Sequence, residues 1–359
     1  MAKIKAAVCH EFGTSLQIQE VDLRTPEAGE VEVTLEACAI CFSDISFMDG
    51  GWGGTLPAVF GHEAAGRITA VGADVRGYEL GQAVLVTLIR SCGTCASCAS
   101  GVPVQCADPD ASEPLSLEGA PLHAAMNCGA FAEKVVVHPS QLAAIPDDMP
   151  MDAASLLSCG VVTGLGAVVN TAQVRPGQVV VVIGAGGVGL NAIQGARISG
   201  ASRIVAVDMT EEKLADAREF GATDGILATD PAPWDRLAEL TGGRMADAVF
   251  VTVGAIPAYD AAPKYLARSG GVYMVGMPHE GEHMTIEPGN IAAYGQSLVG
   301  TKMGDVVLAR DIPWLVEMYN QGRLKLDELV SGRYPLEDIN AAIADTKAGA
   351  ARRNVIVFK

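Results

Sequence analysis

Cys92, Cys95, Cys98 and Cys106 stand in the pattern C-x2-C-x2-C-x7-C, enough thiolates to close a tetrahedral zinc site with no open position. Gly, Ala and Ser interleave them without apolar periodicity, which favours a structural metal over a chance core cluster. A second pair, Cys38 and Cys41 in CAICFSD, is a C-x-x-C that reads as a redox pair, half a zinc site or two core thiols. Spacing alone leaves the three open. A third stretch, VVVVIGAGGVG, places Gly184, Gly186 and Gly189 on G-x-G-x-x-G. There, absent Cβ atoms let the chain turn tightly, approach a pyrophosphate and pack the next helix closely. A glycine turn can also serve packing alone, but here strand, turn, helix, second strand and terminal Asp208 arrive in order within about 30 residues, the pattern of a dinucleotide site. Asp208 is where a ribose 2'-hydroxyl would be held.

The elements that must position these residues differ along the chain. Val179 to Ile183 is five apolar β-formers, suited to a buried parallel strand. Leu190, Ile193 and Ile198 give the following helix an apolar face, Gly200 ends it, and Arg203 to Val207 reads as the next strand. Thr210 caps a helix with Glu211 and Glu212 in its first turn and Gly221 beyond its end. Strands near 225–227, 248–253 and 271–275 alternate with helices near 234–240 and 259–267, which completes a doubly wound α/β sheet. Residues 1 to about 85 are instead β-rich, with Leu16 to Val21 and Val31 to Leu35 alternating around the turn at Pro26 to Gly29. Residues 107–128 show no clear periodicity and read as loop, 129–137 as strand, and 148–157 as helix, with Thr163 and Gly164 at the start of another. Beyond Met303 come helices near 312–320 and 336–347 and a strand over 354–358.

At 359 residues the chain suits two domains, each able to bury a core. Its net charge of -17 opposes nucleic acid and anionic membranes, so neither is expected as a partner. The start MAKIKAAVCHEFG lacks an h-region, and no apolar run is expected to approach the roughly 18 residues of a membrane span. A cytoplasmic location is expected. Nine cysteines are many for a reducing compartment, where short spacing points to metal more often than to disulfides.

The run GHEAAGRITAVGADV, from Gly61 to Val75, resembles the zinc signature G-H-E-x-x-G-x5-G-x-x-V of the zinc-dependent medium-chain alcohol dehydrogenases. Cys41, Ser43 and Asp44 lie just upstream, as a Cys followed by Ser/Thr and Asp does in that family. The resemblance covers nearly the whole chain. It implies a β-rich GroES-like catalytic domain over 1–160 and 303–359, with a structural zinc lobe at 92–106, and a Rossmann domain over 161–302, with the active site in the cleft between them. It implies Cys41, His62 and Cys159 as ligands of a catalytic zinc, Glu63 as an alternate or outer ligand, and Asp44 orienting His62. Taken alone, Cys159 reads as a small buried hydrophobe, and Asp44 and Glu63 as surface acids. Cys92, Cys95, Cys98 and Cys106 match the structural site, so two zinc ions per chain are expected.

The implied reaction is hydride transfer between an alcohol and NAD, with a polyol, a hydroxyacyl thioester or a formaldehyde adduct as alternative substrates; retention of Cys41, His62 and Cys159 argues against a non-catalytic nucleotide- or metal-binding relative. A site of two thiolates and one imidazole keeps a fourth position open, where an alcohol is acidified. The cofactor residues implied are Thr163, Gly184, Gly186, Gly187, Val188, Gly189, Asp208, Lys213, Val275 and Arg353, the last reaching the cofactor phosphates, with Arg352 beside it solvated. Ser43 matches the hydroxyl of a proton relay, whereas Ser46 stands where many relatives have a histidine and Phe42 where many have a basic or polar residue. Trp52 and Leu88 match positions facing substrate and favour an apolar or aromatic alcohol, although a lone Trp is more often core than pocket. A homodimer or homotetramer is expected.

Overall fold

A computed structural model describes residues 1–109 and 112–359. Backbone contacts divide the chain into two units, Met1–Gly160 with Val307–Lys359, and Val161–Val306.

The first unit is built from β-structure. Strands Ala2–Cys9, Gln17–Leu23, Leu115–Leu117, Ala120–Ala124 and Ala58–Val59 close a small barrel. A seven-stranded sheet lies in the same unit, in the order Leu142–Ala144, Ala83–Val86, Glu63–Val71, Val31–Ala39, Arg353–Val357 and Val330–Tyr334, with Lys134–Val137 also pairing Val31–Ala39. Val31–Ala39 is therefore the central strand. Ala39 stands opposite Glu63 on one side and Val355 on the other, so the last strand of the sheet and the strand that follows the histidine of the zinc signature flank the same central strand. The alternation seen in the sequence buries Val31, Val33, Leu35 and Ile68 in one core with the barrel residues Val8, Val21 and Leu122.

The loop expected over 107–128 is in part a hairpin, and residues 110 and 111 of that stretch lie outside the described residues. Leu117 pairs with Ala120 across Glu118 and Gly119, both at positive φ, the geometry that lets a two-residue turn follow the twist of its strands. Its strands are short and one contains Pro121, so periodicity could not reveal them. The expected strand at 129–137 is regular only over Lys134–Val137.

The second unit is a parallel six-stranded sheet in the order Asp224–Leu227, Arg203–Asp208, Val179–Ile183, Ala246–Val251, Leu266–Met274 and Ser297–Gly300. This is the expected doubly wound sheet, with its order reversing between Val179–Ile183 and Ala246–Val251, where such folds bind ligands beyond the strand ends. All five residues of Val179–Ile183 are buried. Thr210 caps Glu211–Phe220 by accepting from the Lys213 amide, and Gly221 follows at φ +120°. The helix expected over 259–267 is instead Ile256–Ala261 and a 3-10 turn Ala262–Tyr265, because Leu266 already opens the next strand. Ser297–Gly300 escaped the sequence reading, being four residues long at an exposed edge.

One helical run, Met151–Thr171, is long and apolar enough to cross a membrane by length and composition, against the sequence expectation. It tolerates Ser, Cys, Gly and Thr between its apolar residues, and 89% of its most apolar window is buried within the protein, as in a core helix.

Candidate metal centres and dinucleotide turn

Asp44, fully buried in the first turn of helix Phe42–Met48, organises one cluster. Its carboxylate accepts from the Cys41 amide at 3.1 Å, the Gly61 amide at 2.9 Å and His62 Nδ1 at 3.0 Å. With Nδ1 donating, the lone pair of Nε2 is left to face the other way. The side chains of Cys41, His62, Glu63 and Cys159 converge there, each offering one ligand atom, with all of these atoms within 4.8 Å of one another and all four residues buried. Cys41 caps its helix, Glu63 opens strand Glu63–Val71, and Cys159 precedes helix Gly160–Gly166.

His62 Nε2 and Glu63 Oε1 are buried without a hydrogen-bond partner. Leaving such groups unpaired costs on the order of 1 to 3 kcal/mol each, and two sulfurs, an imidazole nitrogen and a carboxylate oxygen are the donor set of zinc. The residues fit the ion. Burial disfavours charge on His62, but Asp44 and the Cys41 sulfur outweigh it and raise its pKa well above the ordinary value, so a metal would bind Nε2 in place of a proton. Cys41, accepting from the Cys159 thiol, is held well below the ordinary range, and Cys159 is correspondingly raised. Glu63 is pushed up to about 7 by burial, against the pull of Arg353.

Arg353 was expected at cofactor phosphates. The structure buries it against Glu63 as an ion pair, 290 residues apart in sequence. Gly160 makes room for it: a Cβ there would lie 2.2 Å from Arg353 Nη1. Sequence reasoning missed Gly160, whose only signal was its place directly after Cys159. Arg352 is anchored, not simply solvated, donating to the Glu328 carbonyl at 2.9 Å. Cys38 resolves the C-x-x-C differently from any of the three readings. It is a fully buried core thiol, raised by burial, while its neighbour Cys41 belongs to the metal cluster.

Cys92, Cys95, Cys98 and Cys106 form the second cluster, half-buried, with sulfurs within 4.8 Å of one another and unbonded as disulfides. Cys95 and Cys106 Sγ lie 4.0 Å apart, against about 3.8 Å for the edge of a tetrahedron with 2.3 Å Zn–S bonds. The Cys95 amide points at Cys92 Sγ at 3.3 Å and the Cys92 amide at Cys106 Sγ at 3.3 Å. Amides of Thr94 and Cys95 bring the Cys92 thiol down to about 6, whereas desolvation and its neighbours push Cys98 up to about 12.

In the second unit the three glycines are not equivalent. A Cβ on Gly184 would fall 2.4 Å from Val253 Cγ1 and one on Gly189 1.8 Å from the Gly184 carbonyl, so packing dictates both. At Gly186 a Cβ would meet nothing within 4 Å and the residue is exposed, so the protein's own packing does not require a glycine there. Gly187 and Val188 then open helix Gly187–Ile198. Asp208 ends its strand, accepting from the Ala185 amide at 2.6 Å and the Met209 amide at 2.7 Å. Thr163 lies inside helix Gly160–Gly166 instead of at its start and donates to Met303 Sδ at 3.6 Å. Val275 is buried, its amide on the Val251 carbonyl, and Lys213 sits in the first turn of its helix.

Ser43 and Ser46 are half-buried on helix Phe42–Met48, and Phe42 is exposed. Trp52 packs edge-on against Phe47 at 5.0 Å, and Phe47 stacks on Phe60 at 6.4 Å. Leu88 is half-buried against the same core.

The alcohol dehydrogenase GroES-like domain matches residues 27–147 and the zinc-binding dehydrogenase domain residues 187–321. The NDMA-dependent alcohol dehydrogenase of Amycolatopsis methanolica is 34% identical over 99% of both chains. The chain belongs to the zinc-dependent medium-chain alcohol dehydrogenase family. Alcohol dehydrogenase 1 of Pisum sativum is also 34% identical, over 99% of this dehydrogenase and 97% of its relative. Among solved structures, an alcohol dehydrogenase zinc-binding domain protein from Burkholderia ambifaria superposes with a TM-score of 0.95 at 33% identity, covering 100% of this chain and 99% of that one. Benzyl alcohol dehydrogenase from Acinetobacter calcoaceticus superposes with a TM-score of 0.94 at 28% identity over 100% of both. The matched domains make this chain an enzyme that binds zinc and NAD(P).

Proposed function

We propose that this dehydrogenase transfers a hydride between an alcohol and NAD, with Cys41, His62 and Cys159 holding one zinc ion and Cys92, Cys95, Cys98 and Cys106 a second. The observation that carries the reading is the buried, unpartnered Nε2 of His62, fixed by Asp44 and converging with two thiols and Glu63. Zinc in a site with three firm ligands supplies Lewis acidity that lowers the pKa of an alcohol or polarises a carbonyl.

The protein's own residues do the rest. Asp44 sets the tautomer of His62. Glu63, neutralised by Arg353, stays close to the ligands as an alternate or outer one. Ser43 takes the alcohol proton toward solvent. Gly186, Gly187 and Val188 would hold the pyrophosphate at the start of helix Gly187–Ile198, and Asp208 would hold the adenosine ribose, with Thr163, Lys213 and Val275 as further residues toward the cofactor.

The aromatic row Trp52, Phe47 and Phe60 supports an apolar or aromatic alcohol, in keeping with the substrate named for the Acinetobacter relative. A homo-oligomer is supported by helix Pro288–Tyr294, which buries none of its residues, by the exposed Met277, Ile286 and Tyr294, and by the edge strand Ser297–Gly300.

The test is a panel of benzyl alcohol, ethanol, a polyol, a hydroxyacyl thioester and a formaldehyde adduct, followed by cofactor absorbance with NAD and then with NDMA as oxidant. Highest kcat/KM on benzyl alcohol with NAD is expected. Preference for another member of the panel reassigns the substrate, and turnover only with NDMA reassigns the oxidant. No turnover of any member removes the proposal.

A further inference from the structure

Trp52 sits in the run Gly50-Gly51-Trp52-Gly53-Gly54, and Gly50, Gly53 and Gly54 have φ of +80°, +67° and +134°. Such a segment loses much conformational entropy when ordered, so it does not hold an indole in place unaided. The structure shows what orders it. The ring of Phe12, from the turn after strand Ala2–Cys9, lies across both ends of the run: a Cβ at Gly50 would meet Phe12 Cβ and Cγ at 3.3 Å, and one at Gly54 would meet Phe12 Cζ at 3.9 Å. Both glycines present bare backbone to that ring.

The turn carrying Phe12 is itself tied down. The Gly13 amide donates to the Met48 carbonyl at 2.8 Å, and the Thr14 hydroxyl to the Glu11 carbonyl at 2.8 Å. Lys347 pairs with Asp49 at 2.7 Å, just before the glycines. Inside the loop the indole stands edge-on to Phe47, which stacks on Phe60, two residues before His62. Phe47 lies on the helix that Cys41 caps. The row of rings is thus rooted at two residues of the buried metal cluster and ends at Trp52, and Phe12 fixes that end.

We propose that Phe12 is a positioning residue for substrate selection: it clamps the glycine-flanked loop so that Trp52 offers a fixed apolar wall to the alcohol. This rests on the alcohol pocket assigned above. With Phe12 shortened, the loop keeps its backbone bonds to the helix and the Trp52–Phe47 contact but loses the ring that spans its two ends, so the indole is held less firmly and a bulky aromatic alcohol loses more than a small one.

The experiment has two arms. In the first, Trp234→Phe and Trp314→Phe leave Trp52 as the only indole, and acrylamide quenching is measured with and without Phe12→Ala. Quenching is expected to rise. In the second, benzyl alcohol and ethanol are compared in the otherwise unaltered enzyme. Phe12→Ala is expected to raise KM for benzyl alcohol about tenfold with kcat held, the effect of losing roughly one apolar contact, and to leave ethanol unchanged. Phe12→Tyr keeps the ring and restores both readings. Should the alanine variant not fold, Phe12→Leu, too short to span both glycines, is to give the same shifts in smaller measure. Unchanged quenching overturns the proposal, as does raised quenching with an unchanged ratio of the two KM values. An enzyme that turns over neither alcohol sinks the pocket reading instead, and the quenching arm still decides whether Phe12 holds Trp52.

Discussion

Asp44 accepts the Nδ1 hydrogen of His62 at 3.0 Å, and neither side chain is exposed to solvent. The same carboxylate holds the Cys41 and Gly61 amides, so one acid orients a ligand imidazole and the backbone of a ligand thiol together. Replacing Asp44 with Ala is expected to weaken zinc retention at this site by about 10- to 100-fold, the usual effect of losing an outer partner of a ligand histidine. Competition with a chelator, read by elemental analysis, checks it. Retention equal to the parent removes the orienting role.

Two zinc ions per chain are expected in the purified protein. Cys41→Ala or His62→Ala is to remove one ion and turnover while leaving the melting temperature near the parent's. Cys95→Ala is to remove the other and mainly destabilise, because an irregular lobe with no strand of its own depends on its metal for order. Equal loss of folding in all three variants defeats the division into two roles.

Asp208 is expected to set the cofactor preference. Its carboxylate is already fixed by the Ala185 and Met209 amides, and no arginine follows it, Met209 standing there instead. A 2'-phosphate at about 4 Å meets repulsion on the order of 4 kcal/mol per charge pair at an effective dielectric near 20, before screening. The kcat/KM ratio should therefore favour NAD strongly over NADP, and Asp208→Ser should shrink it. Equal efficiency with both cofactors in the parent contradicts this.

Ser43→Ala is expected to cost roughly 10²- to 10⁴-fold in alcohol oxidation, the range for a lost general acid-base step. Ser46→Ala should cost little, since a serine hydroxyl does not titrate near neutral pH. Ser46→His should raise oxidation at low pH, where a terminal base helps most. Parental rates in Ser43→Ala, with a deuterium isotope effect showing that transfer limits turnover, assign the proton to another group.

Glu30 makes stability depend on acid. Its burial disfavours the carboxylate, but Arg24, at 2.6 and 2.8 Å, the Glu27 amide and the Ser112 hydroxyl bring it down to about 2. A carboxyl depressed in the folded state stabilises above its unfolded pKa, here 4.5, and loses that contribution as pH falls toward 2. The full shift corresponds to at most about 3 kcal/mol. Chemical denaturation of the parent against Glu30→Gln should show a gap near pH 7 that closes between pH 4.5 and 2; a gap independent of pH refutes the assignment.

What the sequence by itself determined was local. The four cysteines of 92–106, the strand and glycine turn at 179–189, the Thr210 cap and the terminal Asp208 each depend on groups a few residues apart, so spacing carries their chemistry. The histidine signature was legible as a resemblance for the same reason. Spacing left the Cys38–Cys41 pair open and the resemblance pointed to Cys41; the tertiary structure gives the physical reason, because the helix capped by Cys41 places that thiol in the cluster with His62 while Cys38 remains in the core strand. Tertiary structure alone brought Arg353 to Glu63, through two strands paired to opposite sides of Val31–Ala39. Gly160 acquires its purpose only from that meeting. No periodicity encodes such a contact: register between strands hundreds of residues apart sets it, and register is a property of the folded sheet.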